Sequence, residues 1–291
     1  MTAGDYIKVL LRLQELHKKG FRIVWFERIF QCSTDKFNKC YAVYFVQENL
    51  KDKSKGLTVV NLPLEEKIQS MNGKDRADLY FKYVQTTQIL CQNIFRMGRI
   101  VDGGWEVCHD LLAKYKRPCI AYSFGVLNDL TFDDELAETY PCSVFSFDPT
   151  TPFPTHQHAP KVWFFQLGIG SKYKKFNAGY VAPLKYIRAD LKHTRSPIAV
   201  LKIDVEGAEW SSLPEMIASN QLNDVQQLYF REFHALGDKA IELSVLKKLY
   251  DIGFRIFWFH ANPACSFDSE IPTRSRCMEV YFINTRFQAN I

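Results

Sequence analysis

The side chains best placed in this sequence to move a proton stand just beyond two apolar runs. Asp204 and Glu206 follow the run 198–203, and Glu232 and His234 follow 225–230. A carboxylate or imidazole positioned against a hydroxyl takes its proton in the transition state, an effect worth about 10²–10⁴ in rate. His234 or Asp204 is the candidate base. The same four groups could instead hold a divalent ion that polarises a hydroxyl. Three structural readings stand beside these: Asp204 as a helix cap, Glu232 in an ion pair, and His234 as a satisfied buried histidine.

The elements that must position them follow from hydrophobic pattern. The run 198–203 has no polar alternation beyond Lys202, as expected of a strand covered on both faces of a parallel sheet. Gly207 then lets the chain turn, and Glu209 and Trp210 open a helix. Similar runs at 119–124, 142–147 and 162–167 end in Gly125, Asp148 and Gly168, with helices expected at 132–140 and 184–191. The 74–98 stretch has helical spacing at Ala77, Tyr80, Phe81, Val84 and Cys91 and is expected to end near Gly98. Asp102 to Cys108 reads as a turn-rich loop in which Trp105 is a lid or, more simply, packing. His156 and His158 fall in a loop, at a spacing that suits solvated histidines better than a metal; no metal ligand set is assigned. This strand-helix alternation, finished by a hairpin, predicts an α/β fold with a mostly parallel sheet and one antiparallel strand. In such sheets ligands bind at the carboxyl ends of the strands.

The chain also repeats itself. Gly20-Phe-Arg-Ile23, Trp25-Phe26, Cys32-Ser33 and Asp35 match Gly253-Phe-Arg-Ile256, Trp258-Phe259, Cys265-Ser266 and Asp268 without a gap. After a four-residue offset, Cys40 and Val43-Tyr-Phe45 match Cys277 and Val280-Tyr-Phe282. Each copy reads as a helix and a hairpin, too small to stand alone. The second closes a domain, so the first is expected to be an appendage, the end of a duplicated or truncated unit. The alternative is extra sheet docked on the main domain. The division expected is 1–47 partial duplicate, 48–73 polar linker and 74–291 main domain.

A hydrophobic content of 47% with 14% aromatic residues is ample for a core, and a formal charge of +5 gives no electrostatic case for nucleic acid. No apolar stretch approaches the roughly 20 residues of a membrane span, and the N-terminus lacks a signal-peptide pattern. The eight cysteines show no zinc spacing. In an oxidising compartment the expected bridges are Cys32–Cys40, Cys91–Cys108, Cys119–Cys142 and Cys265–Cys277; in the cytosol these would be buried thiols.

Leu201-Lys-Ile-Asp-Val-Glu-Gly-Ala-Glu-Trp210 resembles the signature of class I S-adenosylmethionine-dependent methyltransferases of the FkbM type and their animal methyltransferase-like relatives. Phe124-Gly125 with Asp129, Ser146-Phe-Asp-Pro149, Glu232-Phe-His234 and Glu279-Val-Tyr-Phe-Ile-Asn-Thr285 extend the likeness over about 74–285. The resemblance implies a Rossmann-like sheet and S-adenosylmethionine as cofactor. It places Phe124, Gly125 and Asp129 at the first turn, Asp148 on the ribose, and Gly168, Ile169 and Asp204 around the adenine and methyl. The nucleotide turn departs from the superfamily in having one glycine, which keeps open a decayed fold acting as a binding or scaffold protein. The implied reaction is O-methylation of a small-molecule or glycan hydroxyl, and the implied location is the secretory pathway. A nicotinamide-dependent oxidoreductase would want G-x-G-x-x-G, which is absent. Oligomeric state is not legible.

Overall fold

The computed structural model describes residues 21–29, 40–47, 60–99, 102–115, 118–233, 238–262, 265 and 277–290. Two compact units divide the chain, Met1–Leu57 and Thr58–Ile291. In the first, β1 (Phe21–Ile29) and β2 (Cys40–Gln47) form an antiparallel hairpin whose register shifts between Ile23 and Trp25. Cys32 and the helix expected before β1 lie outside the described residues.

The second unit begins earlier than the linker reading allows. Val60, Leu62 and Ile68 are buried in its core, and Glu65–Ser70 is helix α1. The apolar residues spaced through this polar stretch are what anchor it. Helix α2 (Gly73–Val84) starts at Asn72, whose side chain accepts the Asp75 amide at 2.9 Å, as a cap should. It stops well short of Gly98. Thr86 and Thr87 are poor helix formers, and the Gln88 and Ile89 amides turn instead to the Ile256 carbonyl at 2.7 and 3.1 Å.

A small hairpin follows, β3 (Ile94–Met97) with β4 (Trp105–Cys108), and then helix α3 (His109–Leu112). The main sheet is built from β5 (Cys119–Phe124), β6 (Cys142–Phe147), β7 (His156–Ala159), β8 (Val162–Phe165), β12 (Ile198–Ile203), β13 (Val225–Phe233), β14 (Phe254–Ala261) and β15 (Cys277–Asn284). Their order across the sheet is β14-β15-β13-β12-β5-β6-β8-β7. The pairings from β13 through β8 are parallel. β15 runs antiparallel between β13 and β14, and β7 adds a second antiparallel strand at the far edge, where a loop was expected. His156 and His158 are exposed on that edge strand.

Between β8 and β12, a three-stranded side sheet joins β9 (Leu167–Ile169), β10 (Lys174–Phe176) and β11 (Gly179–Ala182). Helices α4 (Thr131–Thr139), α5 (Leu184–Asp190), α6 (Glu209–Ala218) and α7 (Ala240–Asp251) complete the unit. β5 and β12 are buried at every position, as two-faced coverage demands. One apolar cluster holds Tyr80, Leu213 and Leu246; another holds Trp105, Phe132, Leu136 and Tyr281.

Three of the expected cysteine pairs are disulfides: Cys91–Cys108, Cys119–Cys142 and Cys265–Cys277. Cys119 and Cys142 are register partners at the start of β5 and β6.

Candidate active-site cleft

The ends of β5, β6 and β12 are laced together by backbone. The Asp204 amide donates to the Phe124 carbonyl at 3.0 Å, and the Gly125 amide to the Phe147 carbonyl at 2.8 Å. Gly125 has a φ of +75°, and a Cβ there would overlap the Asp204 carbonyl. Glycine is therefore demanded by the crossing of two strand ends, whatever binds above it.

After Asp204 the chain takes two left-handed residues, Glu206 at φ +53° and Gly207 at +101°. Glu209 closes this turn: its carboxylate accepts the Val205 and Gly207 amides, each at 2.7 Å. Burial pushes the Glu209 carboxyl up to about 7 despite those bonds. Glu209, not Asp204, is thus the capping acid of this turn, and Asp204 is left to point elsewhere. Glu206 is exposed.

A cleft of about 300 Å³ opens over the carboxyl ends of β5, β12 and β13, near the lower limit for small-molecule sites. Gly125, Asp129 and Asp204 line it, with Asp102, Trp105, Lys202 and Arg231. Asp204 pairs with Arg231 at 3.2 Å and is only 14% exposed. Burial pushes its carboxyl up to about 6, although Lys202 and Arg231 pull the other way. Asp129 accepts Thr131 at 2.8 Å and meets Arg99 at 3.0 Å.

The other expected cofactor residues stand beside or beneath the cleft. Phe124 is buried and stacks on Phe147. Asp148 is 3% exposed; it accepts the Leu127 amide at 2.8 Å and the Thr150 amide at 2.8 Å. It thereby fixes the left-handed turn at Leu127, φ +48°. Gly168 packs against Pro149, and Ile169 lies in the core. Glu232 places its backbone opposite Met278 in the sheet, while His234 lies outside the described residues.

Residues that sequence reading did not assign hold the cleft together. Lys202, 4% exposed, donates to the Gly125 carbonyl at 3.1 Å and sits 5.1 Å from the Trp105 ring. Arg231 lies 5.6 Å over the same ring and also bonds Asp102 at 2.6 Å and Glu279 at 3.0 Å. Trp105 is 1% exposed, so packing is its role, as the floor that both cations share. Burial opposes the charge of Arg231, but Asp204, Glu279 and Asp102 hold it protonated. Behind it Glu279, fully enclosed, accepts Asn262 at 2.8 Å and Tyr281 at 2.7 Å and faces His260 at 3.2 Å. His260 reaches Glu106 on its other side at 3.5 Å, and Glu106 pairs with Arg96 at 2.7 Å. Lys202, a charge inside an apolar strand, was a signal of this network visible in the sequence, beside the already named Asp204 and Glu279.

The arrangement brings together a carboxylate of raised proton affinity, a glycine turn and an acidic rim at the strand ends where α/β enzymes bind ligands. Residues 25–284 match the family described as a methyltransferase domain. The chain is similar to the human protein named "Probable methyltransferase-like protein 24", 26% identical over 238 residues, 72% of this chain and 64% of that one. The rat protein of the same name is 26% identical over 243 residues, 74% of this chain and 66% of that one. The chain thus spans just under two thirds of the length of these relatives. With the family match running through every strand of the cleft, the chain belongs to the methyltransferase-domain family.

Proposed function

We propose that this chain transfers a methyl group from S-adenosylmethionine to a hydroxyl acceptor, with Asp204 as the general base. The observation that carries the reading is Asp204 itself: a cleft-lining carboxylate, oriented by Arg231, whose raised pKa of about 6 suits a base working near neutrality.

The donor set suits a cationic cofactor. Asp102 and Asp129 offer carboxylates to a sulfonium and an ammonium, beside the cations Arg99, Lys202 and Arg231 that also line the cleft, and the Gly125 turn presents backbone without a Cβ. When bound, S-adenosylmethionine supplies an electrophilic methyl on sulfur. Asp129 and the 125–128 backbone would hold it, while Asp148 acts from beneath by fixing the turn at Leu127. Lys202 steadies the Gly125 carbonyl. Arg231 keeps Asp204 aimed, and an ionised Asp204 can accept the acceptor's proton. Glu206, Glu232 and His234 are the remaining candidates for that proton. The disulfides fit an oxidising compartment, and we place the chain in the secretory pathway.

One observation favours the second reading, a binding protein on a decayed fold: the Asp148 carboxylate faces inward instead of lining the cleft. Calorimetry with S-adenosylmethionine separates the two, since absence of heat at millimolar concentration leaves only the binding protein. If cofactor binds, transfer of labelled methyl to a panel of glycans and small alcohols gives the rate. kcat/KM is expected to rise with pH through about 6, as Asp204 loses its proton. Asp204→Asn is expected to lower kcat by about 10²–10⁴ with cofactor affinity retained. Wild-type turnover in that variant removes Asp204 from the chemistry, and a matching loss in His234→Ala instead would move the role there.

A further inference from the structure

The β10–β11 hairpin carries a surface that nothing in the cleft accounts for. From 149 to 189 the sequence contains no acidic residue, against five lysines and one arginine. Arg188 is buried against Asp224 at 2.6 Å, and Lys185 meets Glu215 at 3.2 Å, so those charges are matched. Lys172, Lys174 and Lys175 are exposed, and among the described residues no carboxylate stands within ion-pair distance of them.

The same hairpin displays aromatic rings. Tyr173 is 64% exposed and Tyr180 43%, and their rings stack at 5.4 Å with planes 13° apart. Lys175 is the register partner of Tyr180, so this lysine and the tyrosines share one face, while Lys174, the partner of Val181, alternates to the other face and Lys172 lies just before the strand. Phe176 is 42% exposed. Lysines on an edge strand discourage pairing with other chains, but that purpose needs no exposed tyrosine pair. The hairpin is pinned at its root: the Gly179 amide donates to the Pro149 carbonyl at 3.0 Å, and a Cβ on Gly179 would crowd Gln166. β11 runs parallel to β9 beside the loop that carries Asp148. This is a fixed platform next to the strand ends, not a loose loop.

We infer that the Tyr173–Tyr180 face with Lys175, together with the adjoining hairpin edge that carries Lys172 and Lys174, binds an acidic glycan. Ammonium groups meet its sulfates or carboxylates, and the flat tyrosine faces take the C–H side of sugar rings. The three disulfides favour a glycan over nucleic acid, because they belong to compartments where glycans are made and displayed. An anionic membrane fits less well, since Phe176, 42% exposed beside the Asn177–Ala178 tip, is a single wholly apolar group to insert. Binding of this kind stands independently of the proposed methyl transfer. That the bound glycan is the acceptor rests on that reading.

The test uses the whole chain. Binding of a heparin-derived decasaccharide is measured by calorimetry beside its desulfated counterpart, phosphatidylserine vesicles and a single-stranded oligonucleotide. The sulfated glycan is expected to bind most tightly, with affinity falling as salt rises. Lys172→Ser/Lys174→Ser/Lys175→Ser is expected to weaken it on the order of 100-fold, about one lysine's worth of anionic attraction per position. Tyr173→Ser/Tyr180→Ser is expected to weaken it with the salt dependence unchanged. A control removing exposed Lys67, Lys74 and Lys82 should bind as the parent does. Matching melting temperatures show that each variant folds. Unchanged affinity in the hairpin variants, equal loss in the control, or tighter binding to vesicles or oligonucleotide overturns the inference. Glycan binding without methyl transfer keeps the surface and discards only the acceptor role.

Discussion

The hairpins β1–β2 and β14–β15 share a register and differ in the charges placed on it. In each, pairing shifts between an isoleucine and a tryptophan, Ile23/Trp25 in one and Ile256/Trp258 in the other. Trp25 then faces Tyr44 as Trp258 faces Tyr281, and Phe26 faces Val43 as Phe259 faces Val280. The next pair breaks the likeness: Glu27 faces Ala42, where His260 faces Glu279. Aromatic and β-branched cross-strand pairs are enough to set a hairpin's register. The buried ionic pair belongs to the second copy because β15 lies beside β13, whose Arg231 gives Glu279 a partner. Residues common to both copies therefore report on the fold, and residues found only in the second report on the cleft.

The largest break in this comparison comes from giving the second hairpin the residue the first one has. Glu279→Ala reproduces Ala42 and leaves Arg231 and His260 facing a vacated anion site. Removing one partner of a buried ion pair costs about 3–5 kcal/mol. Urea unfolding should show a loss of that size, and Arg231, no longer anchored from behind, should hold Asp204 less well. A loss below about 1 kcal/mol would mean the network is solvated and the two hairpins differ only in decoration.

The disulfide comes next. Cys265–Cys277 closes a loop of sequence separation 12, and its residues have counterparts in Cys32 and Cys40. The double variant Cys265→Ser/Cys277→Ser is expected to lose about 3 kcal/mol by the loop-entropy account. Thermal unfolding with and without reductant measures it. Insensitivity to reductant in the parent would show that the hairpin's register alone carries its stability.

The same division explains what could be read from sequence. The strands at 119–124, 142–147 and 198–203 were legible because short, mainly apolar runs have few other uses, and the duplicated motif announced the hairpin but not its bulge. Three of the four expected cysteine pairs were legible from adjacency along the chain, and the fourth, Cys32–Cys40, rests on Cys32, which lies outside the described residues. The cleft was legible only at its glycine and strand-end acids. Arg231 is one more charge just past the 225–230 run, and its meaning depends on Asp102, Asp204 and Glu279, which are far apart in sequence and meet only through the sheet order. Asp148 stands at a strand end, where the resemblance puts the ribose; that its carboxylate accepts the Leu127 amide and so shapes the neighbouring turn is a contact the spacing does not foretell. The helix expected to run to Gly98 ended at Val84 because Gln88 and Ile89 satisfy Ile256 at the β14 bulge, a long-range bond that periodicity cannot foretell.

The smallest predicted effects set a shared residue against an unshared one at the same corner. Gly253 occurs in both copies, as Gly20 and Gly253, and has a φ of +110°. Gly253→Ala forces an L side chain into that region and against Asn284 and Thr285, so about 1–3 kcal/mol should be lost. Thr285 has no such counterpart, since the first copy carries Glu48 at its position. The Thr285 hydroxyl donates to the Gly253 carbonyl at 2.9 Å, but the Thr285 amide donates to the same oxygen at 2.9 Å. Thr285→Val removes the first bond and leaves the acceptor satisfied by the second, so the expected loss is about 0.5–1 kcal/mol. Unfolding curves of the two variants under one buffer decide the matter. A larger loss from the threonine than from the glycine would mean that residues peculiar to the second copy carry its backbone as well as its cleft, and the separation of fold from site drawn from the two hairpins would fail at the one corner where both can be measured side by side.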